Sequence, residues 1–293
     1  MFAVGERLGA YVIRRRIGKG GMGEVYLAEH MHISRRAAIK VLLPELSSRP
    51  DVVERFFNEA RATSLLRHPN IVEILDCDVH ASGRAYIVME FLEGETLGNS
   101  LARIGSFAGD IPTAAAIAGD LAAALAASHG KGIVHRDLKP DNIFLSSTPG
   151  AESPVRTKIL DFGIAKLLGE GASGSRKTRT GSVLGTPIYM SPEQCRGAGY
   201  VDYRTDIYSL GCIIFELLAG QPPFVREGHG ELIIAHNSEP PPELASLVPG
   251  VPPALAHLVA RLGQSRPPRS PRTQEVNITR INSIHQQTSP QNA

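Results

Sequence analysis

"IVHRDLKPDNIFL", residues 133–145, sets a cluster of polar side chains between two apolar runs. Asp137 and Asn142 lie five apart, Lys139 stands between them, and Pro140 forbids one continuous helix through the stretch. The segment therefore reads as a rigid loop that displays a carboxylate, a cation and an amide. Such a carboxylate can take a proton from a hydroxyl. The cation can neutralise a transferring phosphoryl group, and the amide oxygen can bind magnesium. An ordinary solvated charged loop is the plainer alternative. The apolar flanks, and the motifs that accompany this one in order along the chain, weigh against it.

Downstream, "KILDFGIAK" (158–166) puts Asp161 at the end of an apolar strand, followed by Phe162 and Gly163. A carboxylate there costs free energy unless it is paired or binds a cation. With Asn142 it would complete a magnesium site. Upstream, "IGKGGMGEVY" (17–26) carries Gly18, Gly20 and Gly23 in GxGxxG spacing. A dinucleotide-binding turn would need a helix directly after the glycines and an acidic residue about twenty positions further on. Here "EVYLAEH" alternates like a strand, so the glycines belong to a strand–turn–strand whose backbone N–H groups can fold over phosphates. In "AAIKVLL" (37–43), Lys40 sits among apolar neighbours, where its ammonium wants an anionic partner. Glu59, on the following helix beside Phe56 and Ala60, is the candidate.

The bulk numbers are those of a globular chain. The sequence has 293 residues, 42% hydrophobic and 20% charged, enough to bury a substantial core as one large or two ordinary domains. A net charge of only +2 argues against a nucleic-acid partner bound mainly through phosphates. Cys77, Cys195 and Cys212 are scattered and show no zinc or disulfide spacing, which fits reduced thiols in a cytoplasmic protein. The opening residues lack the apolar core of a signal peptide. No apolar run is expected to reach the length of a membrane span. The nearest is "IYSLGCIIFELLAG" (207–220), read as a buried helix with Gly220 as its stop.

Along the chain, the first third reads mainly as strands: 10–18, 24–31, 35–42 and 85–92. One helix, 51–66, interrupts them; Val52 with Phe56 and Val53 with Phe57 are its helical pairs, and Asp51 is its expected cap. After Gly94 helices dominate: the Ala-rich stretch 113–132, then 206–220 and 252–263. Short strands are expected near "GIVHRD", "NIFL" and "TKIL". Strand-rich and helix-rich halves define an α+β protein with a small N-terminal lobe and a larger, helical C-terminal lobe. The Pro-rich stretch 239–254 is a surface connection, and there is no internal repeat.

In order and spacing, GKGGMG, AIK, Glu59, HRDLKPDN, DFG, GTPIYMSPEQ and DIYSLG resemble the motif set of eukaryotic-type (Hanks-type) serine/threonine protein kinases, in the style of the bacterial ones. The resemblance covers residues 11–285, leaving a lead-in at 1–10 and a disordered tail at 286–293. It divides the domain into an N-lobe of about 11–90 and a C-lobe of about 94–285. It implies ATP and magnesium, or manganese in its place, as cofactors, and protein Ser or Thr hydroxyls as acceptors. By resemblance, Ile17, Gly18, Lys19, Gly20, Gly21, Met22 and Gly23 cover the ATP phosphates. Val25, Ala38 and Phe144 sandwich the adenine, Met89 is the gatekeeper, and the backbone of Glu90 and Leu92 meets the adenine edge. Lys40 contacts phosphates and pairs with Glu59. Asp137 is the catalytic base, Lys139 steadies the γ-phosphate, and Asn142 with Asp161 holds the metal. Asp206 anchors the catalytic loop, and Glu193 pairs with Arg269.

The same resemblance turns "GEGASGSRKTRTGSVLGTPIYMSPEQ" (169–194), which alone looks like a flexible linker, into an activation loop. Thr178 and Thr180 become its phosphoacceptors, Arg136 the cation that pins the phosphate, and Thr186 part of the substrate platform. A transient homodimer for autophosphorylation follows. Three departures stand out: SPE in place of the commoner APE, an extended segment between the catalytic loop and DFG, and the loss of the acidic residue usual before Arg269. The rival reading, a catalytically inactive scaffold, normally lacks the Lys or one of the two Asp residues that are all present here.

Overall fold

The computed structural model describes residues 2–146, 155–162, 187–197 and 201–263. They fall into two compact units, the first reaching Glu93 and the second beginning at Gly94.

The first unit is an antiparallel sheet of six strands with helices. The strands are β1 (Arg7–Leu8), β2 (Tyr11–Lys19), β3 (Gly23–His30), β4 (Arg36–Leu42), β5 (Ile74–Val79) and β6 (Ala85–Glu90), in spatial order β1-β2-β3-β4-β6-β5. Successive residues of β3 and β4 point to opposite faces of the sheet, so each strand has two distinct faces. One face carries Tyr26, Ala28, Ala37, Ile39, Val41, Tyr86 and Val88, all buried in one core. Phe2 and Leu8 belong to the same core, and β1 pairs with β2. Phe2 and Leu8, in the segment read from the sequence as a lead-in, thus pack with the strands that follow.

Two helices follow β4: α1 (Pro44–Ser47) and α2 (Pro50–Ser64). α2 packs on β5 and β6, burying Val52, Phe56, Glu59, Ala60 and Thr63 in one stripe. Its cap differs from the expectation. The N-cap is Arg49 with Pro50 next, and no side chain caps the helix. Asp51 lies inside the first turn; desolvation pushes its carboxyl up, but the hydrogen bonds and charges of Arg49 and Arg55 together outweigh it and hold the carboxyl below the usual range. Pro50 takes the first helical position, where its missing N–H costs nothing, and Asp51 falls two residues inside the N-cap.

The second unit has a small sheet, β7 (Gly94–Thr96), β8 (Ile143–Ser146) and β9 (Arg156–Ile159), in that order. Its helices are α3 (Leu97–Ile104), α4 (Ile111–His129), α5 (Pro192–Cys195), α6 (Arg204–Ala219), α7 (His229–Ser238), α8 (Leu244–Leu247) and α9 (Pro253–Leu262). Asp110 caps α4 by accepting from Thr113 N, and Gly220 ends α6 in the left-handed region at φ 75°. α6 is buried along nearly all of its length and is the axis of this unit. At Gly211 a Cβ would stand 2.8 Å from the Leu262 Cβ, so only glycine lets α9 approach this closely.

α4 corrects one expectation. By length and composition it is apolar enough to cross a membrane, whereas the nearest candidate expected from the sequence is α6. Ten of its residues, from Ala114 to Ser128, are buried against the rest of the unit, as in a core helix. Its apolarity comes mostly from alanine, which individually looks unremarkable.

Candidate active site

In the first unit the register of the sheet assembles a set of expected nucleotide residues on the face opposite the Phe2–Tyr26 core. Val25 lies across from Lys40, Leu27 from Ala38, Lys40 from Ile87 and Ala38 from Met89. Cross-strand partners share a face, so Val25, Ala38, Lys40 and Met89 share one. Gly18 joins them opposite Val25. Glu90 closes β6, and Leu92 follows two residues later. Lys40 is half-buried, and Glu59 is buried on α2.

The glycine turn between β2 and β3 is closed by Gly20 N–H donating to Gly23 O at 2.8 Å, and Leu43 N–H donates to Met22 O at 3.0 Å. The three motif glycines have different reasons to be glycine. A Cβ on Gly23 would stand 2.3 Å from the Val41 carbonyl oxygen, a contact no side chain tolerates. A Cβ on Gly18 would make ordinary contact with Val25, and Gly20 and Gly21 have open space around them. Nothing in the protein demands glycine at those two tip positions; what their bareness leaves accessible is the backbone N–H surface, which suits a phosphate. Lys19 is opposite Glu24, while Ile17, in the irregular stretch between Arg16 and Gly18, and Met22 at the tip are each 38% exposed.

In the second unit the loop 133–139 contains neither helix nor strand, although a short strand was expected at "GIVHRD". Its N–H groups are taken by side chains instead. Asp206, fully buried on α6, accepts from His135 N and Arg136 N at 2.8 Å each, and His129 Nε2 lies 2.7 Å from the same carboxylate. Arg136 adopts φ 64°, a left-handed conformation rarely held by non-glycine residues. The pinned backbone turns there, one residue before Asp137. Asp137 N–H donates to His135 Nδ1 at 3.2 Å, which makes Nδ1 the acceptor of a neutral ring. Burial holds the His135 pKa below the ordinary value, against the pull of Asp206 and Asp137. Its ring packs on Phe162 at 4.9 Å, linking the catalytic-loop stretch to the residue after Asp161.

Lys139 Nζ lies 3.2 Å from Asp137 Oδ2. Asn142 Nδ2 donates to the Asp137 carbonyl at 2.8 Å, which turns the amide oxygen away from that backbone. Leu160 N–H donates to Asn142 O, and β8 pairs with β9, so Asn142 and Asp161 are carried on joined segments. One amide oxygen and one carboxylate are hard donors of the kind magnesium takes, and the side chains fit that ion. Phe144, expected in the adenine sandwich, is half-buried on β8 opposite Thr96.

Other residues of this unit were not singled out from sequence. Gln194 Nε2 donates to Arg136 O at 2.8 Å, and its Oε1 accepts from Ser191 N. Ser191 and Gln194 form a capping box on α5, a signal that S-P-E-Q did carry. Tyr189 Oη donates to Glu216 Oε2 at 2.6 Å, and Ser209 Oγ donates to Tyr189 O at 2.7 Å, fastening the turn 187–189 to α6. His129 closes an Ala-rich helix six residues before the HRD motif, and its partner Asp206 lies 77 residues away in the chain, so no local pattern marks it. Glu193 lies in the first turn of α5. Arg269, Thr178, Thr180 and Thr186 lie outside the described residues.

The geometry agrees with what comparison finds. Residues 11–267 match the protein kinase domain model, and the chain belongs to that family. It is 45% identical over 268 residues to the serine/threonine-protein kinase Pkn1 of Myxococcus xanthus, covering 90% of this chain and 36% of that protein. It is 39% identical to PknJ of Mycobacterium tuberculosis over 88% of this chain and 42% of that protein. The chain thus spans less than half the length of these curated relatives. Among solved structures, the kinase domain of Mycobacterium tuberculosis PknI superposes with a TM-score of 0.70 at 28% identity, covering 97% of this chain and 99% of that one. The α+β kinase fold expected from the motifs, a β-rich N-terminal part with one main helix and a helical C-terminal part, is the fold observed.

Proposed function

We propose that this chain is a serine/threonine protein kinase that transfers the γ-phosphoryl group of Mg-ATP to Ser or Thr hydroxyls of proteins. The observation that carries the reading is the pinned loop: Asp206 ties down two successive N–H groups, and Asp137, Lys139 and Asn142 project from the backbone so fixed. Asp137 accepts the substrate hydroxyl proton as the oxygen attacks, and Lys139 beside it offsets charge on the transferring group. Asn142 and Asp161 would hold a magnesium ion, which when bound would supply further charge neutralisation on the phosphates. On the sheet, Lys40 orients phosphates with Glu59 as its counter-charge, and the turn 18–23 covers them. Catalysis here is chiefly positioning and electrostatics. The test is transfer of labelled phosphate from ATP to a generic acceptor protein. Asp137→Asn is expected to lose activity by about a hundred- to ten-thousand-fold with its unfolding midpoint unchanged; normal autophosphorylation by that variant would remove Asp137 from its role.

Regulation by activation-loop autophosphorylation is part of the same proposal. Its support is Arg136. Its Nη2 donates to Val201 O, while Nε and Nη1 are buried without a hydrogen-bond partner among the described residues. Buried guanidinium nitrogens of that kind suit an incoming phosphate. Phosphate on Thr178 or Thr180 would dock there and order the loop. A Thr178→Ala, Thr180→Ala double variant is expected to lose roughly ten-fold or more in activity toward an added substrate, and undiminished activity would exclude the switch.

A further inference from the structure

The sheet face that the nucleotide residues do not use holds a polar network against an apolar core. Glu24 directly follows Gly23, where the glycine turn ends, and its side chain points into that core, 5% exposed. Its carboxylate accepts from Tyr26 Oη at 2.8 Å and from Arg16 Nη1 at 3.1 Å, with Arg84 Nη2 an ion-pair partner at 3.6 Å. Burial pushes the Glu24 pKa up, but the bonds from Tyr26 and Arg16 and the charge of Arg84 outweigh it, so the net shift is downward and the carboxylate stays ionised.

The network reaches the start of the chain and the end of β4. Phe2 N–H donates to Tyr26 Oη at 3.0 Å, and the Phe2 ring packs 4.7 Å from the Arg84 guanidinium. Arg84 Nε donates to Leu42 O at 2.9 Å, one residue before the Leu43 N–H that holds the turn at Met22. Phe2, Tyr26, Glu24 and Arg84 are all buried. The glycine turn, whose tip at Gly20 and Gly21 stands in open space, is thus braced at both ends from behind the sheet.

We propose that Tyr26 and Glu24 are positioning residues for the glycine-rich turn, and that the N-terminal segment around Phe2 sets, through them, how tightly the phosphates of a nucleotide are held. The proposal rests on the kinase reading above. A brace of this kind acts on the turn that covers phosphates and not on the adenine face, and a cluster that only filled the core would show no such preference.

Tyr26→Phe keeps the ring and removes the hydroxyl joining Phe2 to Glu24; Glu24→Gln keeps the shape and removes the charge. Binding of Mg-ATP and of adenosine is measured by calorimetry for each variant alongside wild type. The expected result is a loss of roughly three- to ten-fold in Mg-ATP affinity with adenosine changed by less than about two-fold, the scale of one buried hydrogen bond. Equal losses for both ligands, or unchanged Mg-ATP affinity in both variants, overturn the proposal. A wild-type chain that binds neither ligand overturns the kinase reading itself, and the two failures are thereby distinguishable. If one variant does not fold, the other carries the same measurement.

Discussion

The glycine-rich hairpin and the catalytic loop are both short, polar-tipped segments that a kinase needs in place, yet they are held by opposite means. The hairpin, residues 11–30, is a ladder: its strands pair through their backbones, and only the tip is left bare. The loop at 133–139 has no ladder. Its conformation is imposed by one buried carboxylate from a helix about seventy residues away in sequence, with an unusual φ at Arg136 held in place by that grip. A ladder spreads its support over many weak, replaceable bonds. A single buried anchor concentrates it, so the loop should be the more brittle of the two.

Substitution can break that contrast. Asp206→Asn is expected to have the largest effect. The amide has one acceptor oxygen for a site that takes donors at both, and it turns its own N–H₂ toward a buried N–H. A loss of about 2–4 kcal/mol in unfolding free energy is expected, read by denaturant melting, together with loss of phosphoryl transfer. Wild-type stability would show that the loop does not hang on this residue. Within the hairpin the two kinds of glycine give smaller and unequal effects. Gly23→Ala forces a Cβ onto the Val41 carbonyl and is expected to cost about 1–3 kcal/mol. Gly20→Ala meets nothing and is expected to stay within about 0.5 kcal/mol on the same scale. Equal costs for the two would mean that the turn is not pressed against β4 as described.

Much of this was legible in the chain. The strands around Val25, Lys40 and Met89 alternate clearly enough to be read, and α2 and α6 announce themselves by stripe and stop residue. β5 was not read: "ILDCDV" is an edge strand with acids and a cysteine, and its pattern does not rise above that of a loop. α3, of eight residues, and α7, whose Leu232, Ile233 and Ile234 form one cluster without a helical repeat, were missed as well, whereas α9, no longer than α7, shows its period in Leu255, Leu258, Val259 and Leu262. The expected strand at "GIVHRD" failed for a different reason, since its N–H groups go to a side chain that only folding brings near.

By itself the sequence determined which chemistry is available: the carboxylates Asp137 and Asp161, the amide Asn142, the cations Lys40 and Lys139, and the glycines that bare a turn. These follow from local order and spacing, because motif residues lie within a few positions of one another. Tertiary structure alone decided what holds them. Asp206 under the loop, His129 beside it, the packing of His135 on Phe162, and Phe2 reaching Tyr26 across the first strands are contacts between residues far apart in the chain. Pattern reading follows one strand or helix at a time, whereas a buried polar group finds its partner wherever the packed core places one.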